Sequence, residues 1–74
     1  MSWPWRRYPT LREVIVNLKG GRTAFRGAVW GQQGGYLVLK GARQLLDEGK
    51  PVDRQVAGEV AIPMDNVEFV QVMT

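Results

Sequence analysis

The chain contains no cysteine, no histidine and a single serine, Ser2. The first absence excludes a disulfide staple, and the first two together exclude a thiol and imidazole zinc site; these are the usual supports of a very small fold. With its one serine in an N-terminal arm, the chain has no side chain poised near neutral pH for acid–base or nucleophilic work. No enzyme activity, metal or cofactor is therefore expected. Long apolar runs are also missing. None approaches the ~18 residues that cross a bilayer, and the start MSWPWRRYP lacks the apolar stretch of a signal peptide. A soluble product that is not secreted and has no membrane partner is the expectation. At 74 residues, folding buries only ~60% of the surface the unfolded chain exposes. Association with other copies is the support that remains, so a homo-oligomer is expected.

Charge is unevenly placed. Residues 1–43 hold eight bases (Arg6, Arg7, Arg12, Lys19, Arg22, Arg26, Lys40, Arg43) and one acid (Glu13). Residues 44–74 hold two bases (Lys50, Arg54) and six acids (Asp47, Glu48, Asp53, Glu59, Asp65, Glu68). In one reading the basic half faces phosphates or an acidic partner. In the other the halves meet as neighbouring strands or subunits and largely cancel.

Strand signals dominate the rest. Leu11–Leu18 (LREVIVNL) alternates, with Val14, Val16 and Leu18 on one face. Gly20-Gly21 supply the positive-φ positions of a hairpin, and Arg22–Trp30 follows as a second strand. Gly27, inside that strand, marks a bulge, a sharp bend or a close backbone approach. Gly31–Gly35 is a turn, and Tyr36–Lys40 is a short buried strand. Residues 41–57 read as a long loop containing one helix-like phrase, Ala42–Leu46, and the polar stretch DEGKPVDRQ. Gly58–Pro63 and Asn66–Val72 are two further strands joined by the tight turn PMDN. Trp30 and Phe69 are assigned to the core. The expected architecture is all-β: a small, five-stranded, strongly bent antiparallel barrel over residues 11–74, preceded by an irregular arm, residues 1–10. Closure would limit exposed strand edges.

Few residues suggest chemistry. No P-loop spacing surrounds Gly20-Gly21 and no helix follows, so the glycines read as a hairpin. Asp47-Glu48 read as solvated loop acids. The arm WPWRRYP is richer. Trp3, Trp5, Arg6, Arg7 and Tyr8 are the residue types that anchor protein interfaces, and the prolines reduce the entropy lost on docking. Docking on a larger protein, folding back over its own barrel, stacking on nucleic acid and contact with a membrane surface all remain open for it.

These segments resemble an Sm-like (LSm) domain, an SH3-type barrel, from roughly Leu11 to Val72. The similarity lies in Leu18-Lys19-Gly20-Gly21-Arg22, in Phe25-Arg26-Gly27, in Leu37-Val38-Leu39, in Gly58 to Ile62 and in Asn66-Val67. The resemblance implies a ring of subunits. In that family the RNA pocket uses an Asp and an Asn before the third strand and an Arg-Gly pair after the fourth. Here Gln32, Gln33 and Tyr36 stand in the first region and Pro63-Met64 in the second. The family's N-terminal helix has no counterpart, because Pro4 and Pro9 interrupt the arm. A looser resemblance is to small Sm/SH3-like proteins encoded among tailed-bacteriophage virion genes, carried by Arg12 to Leu18, Arg26 to Trp30, Gly34 to Leu39 and Asn66 to Val72.

Two functions are therefore expected. The first is a non-catalytic assembly module, a bacteriophage head or connector component found in the virion or host cytoplasm. It would dock on a capsid or connector protein through Trp3, Trp5, Arg6, Arg7 and Tyr8. The alternative is an Sm-like oligomeric ring binding single-stranded RNA through Lys19, Arg22, Arg26, Gln32, Gln33 and Tyr36. Such binding would be weak, insensitive to sequence and steeply salt-dependent, because phosphate contacts release counterions and carry little sequence information.

Overall fold

Six strands form a single antiparallel sheet in the computed structural model, which describes residues 12–73. They are β1 (Glu13–Leu18), β2 (Ala24–Gln33), β3 (Tyr36–Asp47), β4 (Lys50–Gln55), β5 (Val60–Pro63) and β6 (Val67–Val72), with a 3-10 turn at Met64–Asn66 before β6. The hydrogen-bonded order is β4-β3-β2-β1-β6, and β5 lies beside β3. No helix among the described residues is long and apolar enough to cross a membrane.

Local pattern explains the first hairpin. Val14 and Val16 point inward and are fully buried, while Glu13 between solvent and sheet is exposed. Gly20 and Gly21 have φ of 92° and 68°, conformations that L side chains rarely adopt, and they turn the chain into β2. Along β2 the pairing with β3 slips at Ala24/Phe25, at Arg26/Ala28 and at Val29/Gly31. Each slip inserts an unpaired residue that bends and twists the sheet. At the middle slip a Cβ on Gly27 would stand 3.1 Å from the Lys40 carbonyl oxygen and 3.2 Å from the Ala42 Cα. Backbone, not a flexible side chain, occupies that space. Gly27→Ala is expected to destabilise the fold by about 1–2 kcal/mol, the scale of overpacking in a tight core. A urea titration checks this, and an unchanged midpoint would refute the close-approach role.

The expected loop over 41–57 is instead a hairpin. β3 continues to Asp47, and β4 returns from Lys50 after the two-residue turn Glu48-Gly49, with φ of 52° and 79°. Positive φ at both turn residues matches the twist of the flanking strands. Glu is an unusual residue for the first of these positions, which hides the turn from sequence, and Pro51 is tolerated because β4 is an edge strand. Ala42–Leu46, helix-like in sequence, is held extended by partners on both sides, β2 and β4. The bend in β3 falls at Gly41, whose φ is 60°. Before it, Tyr36 to Leu39 pair with β5; after it, Arg43 to Asp47 pair with β4.

The core comprises Val14, Val16, Val29, Leu37, Leu39, Ala42 and Ile62, ringed by Leu18, Phe25, Val56, Val60, Met64, Val67 and Val70. Two residues assigned to it from sequence lie outside. Trp30 is 49% exposed. It occupies the β2 slip between Val29 and Gly31, and the Lys40 ammonium sits 3.4 Å from its ring centroid. Phe69 is 56% exposed. The register break opposite Asn17/Leu18 brings Val67 and Val70, three positions apart, onto the core, and so turns Phe69 out.

Candidate functional site

The six nucleic-acid candidates fall into three places. Gln32, Gln33 and Tyr36 share the end of the β2–β3 hairpin, where Gln33 pairs with Tyr36 across the turn Gly34-Gly35. Lys19 and Arg22 lie in the β1–β2 turn, and Arg26 lies inside β2. The arm residues Trp3, Trp5, Arg6, Arg7 and Tyr8 lie outside the described residues.

Two long-range backbone bonds connect the first two places. The Met64 N–H donates to the Gly35 carbonyl at 2.8 Å, and the Lys19 N–H donates to the Asn66 carbonyl at 2.8 Å. The 3-10 turn thus spans from the β2–β3 turn to the β1–β2 turn and ties the Lys19 backbone to the segment that meets Gly35. Tyr36, cross-strand from Pro63, keeps 46% of its surface exposed and offers an aromatic face. Gln33 and Asn66 are exposed amides. The Gln32 Oε1 is buried with no hydrogen-bond partner among the described residues, which is rare for a buried acceptor. Stacking surface, amide donors and acceptors and one cation are the components that bind unpaired bases. Asn66 and Lys50 were not among the sequence candidates. Asn66 reads as a turn and strand-start residue with no binding role, and Lys50 is hidden within the apparent loop.

Arg26 is differently engaged. It faces Arg43 directly across the β2–β3 ladder, a like-charge pair that would be repulsive if bare. Each guanidinium is held by an acid: Arg26 by Glu13 at 3.2 Å and Arg43 by Asp53 at 2.6 Å. The hydrogen bond from the arginine, followed by its charge, holds each carboxyl below its ordinary range and raises each guanidinium. The four line an open depression of about 370 Å³ together with Gly41 and Leu45. All are solvated, so the pairs set register more than they stabilise.

Lys40 pairs with Glu59 at 3.6 Å, and Arg54 with Asp47 at 3.1 Å. Lys40–Glu59 and Arg43–Asp53 join the basic half of the chain to the acidic half, so part of the asymmetry cancels between neighbouring strands. Among the described residues, Lys19, Arg22 and Lys50 have no carboxylate within salt-bridge distance. No group of three or more metal-ligating side chains occurs among the described residues.

No family model matches the chain, and no curated protein matches it. Solved structures do. An Sm protein of Pyrococcus abyssii, determined in complex with a uridine heptamer, is similar with a TM-score of 0.64 and 32% identity over 84% of this chain and 83% of that one. A heptameric archaeal Sm protein superimposes with a TM-score of 0.63 and 23% identity over 85% of this chain and 87% of its own; this second likeness is one of fold.

Proposed function

The chain belongs to the Sm family, and from that premise we propose that it assembles into a closed ring and binds single-stranded RNA at the end of the barrel formed by Gln32, Gln33, Tyr36 and Asn66. One observation carries the reading. The two segments in which the family resemblance puts the RNA pocket, Gln32 to Tyr36 and Pro63-Met64, are joined here by the Met64 to Gly35 hydrogen bond. The two similar structures lend support, one being an Sm protein in complex with a uridine heptamer and the other a heptamer. Neither supports a capsid or connector partner.

The sheet supports ring formation independently. β6 ends the strand order, and β5 pairs only with β3, so each presents an open edge of N–H and C=O groups. Such edges invite pairing with another chain. Two different edges meeting head to tail make a heterologous contact, which closes into a ring when the rotation permits. With the family's Asp, Asn and Arg absent, bases are held by stacking on Tyr36 and by the glutamine amides, and discrimination between bases is weak. Light scattering on the purified protein and fluorescence anisotropy with labelled oligo(U) and oligo(A) test the reading together. A ring mass is expected, with both oligomers bound and Tyr36→Ala weakening both by about tenfold, the scale of one lost stacking contact. A monomeric mass with no RNA bound at low salt would overturn it.

A further inference from the structure

We propose that the β1–β2 and β3–β4 turns form one fused tip that grips the phosphate backbone of the bound strand through Lys19, Arg22 and Lys50, as a track leading away from the base site. The proposal rests on the RNA reading above and extends it to a surface on other elements. The Gly49 N–H donates to the Arg22 carbonyl at 2.9 Å, and the Arg22 Nη2 donates to the Glu48 carbonyl at 3.1 Å. The two turns therefore hold each other, and the guanidinium is oriented by one of its five donors while the others remain available. Nothing lies within 4 Å of the Cβ positions of Gly20, Gly21 and Gly49, so the tip's backbone is open to a ligand.

Charge singles out this tip. Arg26, Lys40, Arg43 and Arg54 each have a carboxylate partner, whereas Lys19 and Arg22 in the β1–β2 turn and Lys50 at the start of β4 have none within salt-bridge distance. Of the acids flanking the β3–β4 turn, Asp47 is occupied by Arg54 at 3.1 Å and Glu48 has no salt-bridge partner. The track is continuous with the base site, because the Lys19 N–H is bonded to the Asn66 carbonyl at 2.8 Å. A strand with a base against Tyr36 would pass Lys19, then Arg22, then Lys50. Such contacts position a strand without reading its sequence.

The test is anisotropy of labelled single-stranded RNA across a salt series, for wild type, a Lys19→Gln/Arg22→Gln/Lys50→Gln variant and Tyr36→Ala, with binding of inorganic polyphosphate measured in parallel. Each lost phosphate contact lowers the slope of log K against log salt by about 0.7 for a single strand, so the triple variant should lose about 2. Oligo(U) and oligo(A) should be affected equally, and Tyr36→Ala should weaken binding with the slope unchanged. Lys50→Gln alone, at the exposed first residue of β4, should lose about 0.7 and guards against a folding defect in the triple variant. RNA bound by the triple variant with the wild-type slope would overturn the tip and leave the base site standing. Polyphosphate bound by wild type and lost in the triple variant, with RNA binding indifferent to Tyr36, would support the tip and overturn the base site. Wild type binding neither probe would overturn both.

Discussion

Leu39→Ala is expected to destabilise the fold by about 3 kcal/mol, within the 2–5 kcal/mol range for truncating a buried leucine. Leu39 has no exposed surface. It sits between two strands, opposite Val29 of β2 and Val60 of β5, so neighbours on both sides are held by ladders and cannot collapse into the space left behind. The loss therefore includes the cavity as well as the transfer of the side chain. A domain with so small a core has little reserve, since whole-domain stabilities are only about 5–15 kcal/mol. With a urea dependence of about 1 kcal/mol per molar for a protein of this size, the unfolding midpoint should fall by about 3 M. Trp30→Ala is the matched control: a larger side chain removed from an exposed bulge should shift the midpoint far less. Equal shifts for the two variants would mean that the core is not where the structure puts it.

Phe69→Asp is expected to dissolve the proposed ring while leaving the subunit folded. The side chain is turned out from its own barrel on the strand that ends the sheet, so an aspartate there costs little in the isolated subunit. Across a β5 to β6 contact the same position would be covered, and a buried aromatic anchor contributes about 2 kcal/mol or more. That corresponds to about a thirtyfold weaker contact, and the loss recurs at every interface around the ring. Light scattering should report a subunit mass for the variant and the larger mass of the proposed assembly for the wild type at the same concentration, with the strand-dominated circular dichroism spectrum retained. Val72→Asp, on the same strand and also exposed, should act in the same direction. A wild-type mass for both variants would exclude β6 as an assembly edge.

What the chain determines locally is readable in its sequence. Val14 and Val16 alternate with polar neighbours and are buried because a strand has a period of two, and Gly20-Gly21 turn the chain because few other residues accept positive φ. Gly27 is legible for a similar reason, since a missing side chain inside a strand points to crowding. The family resemblance in the same segments also brought the Sm fold within reach of the sequence. Readings failed where a second strand overrides local preference. Ala42–Leu46 has a helix-like pattern, yet ladders to β2 and β4 hold it extended, and Glu48-Gly49 turns without the usual residues. Trp30 and Phe69 were misplaced because one extra residue in a ladder reverses which face a side chain takes, and such slips are set by the partner strand. The candidate site is the clearest division. Gln32, Gln33, Tyr36, Lys19 and Arg22 could be named individually from the chain. Only the fold ties Lys19 to Asn66 and Gly35 to Met64, pairs Arg26 with Glu13 and holds Glu48 and Gly49 against Arg22, because those links join residues far apart in sequence.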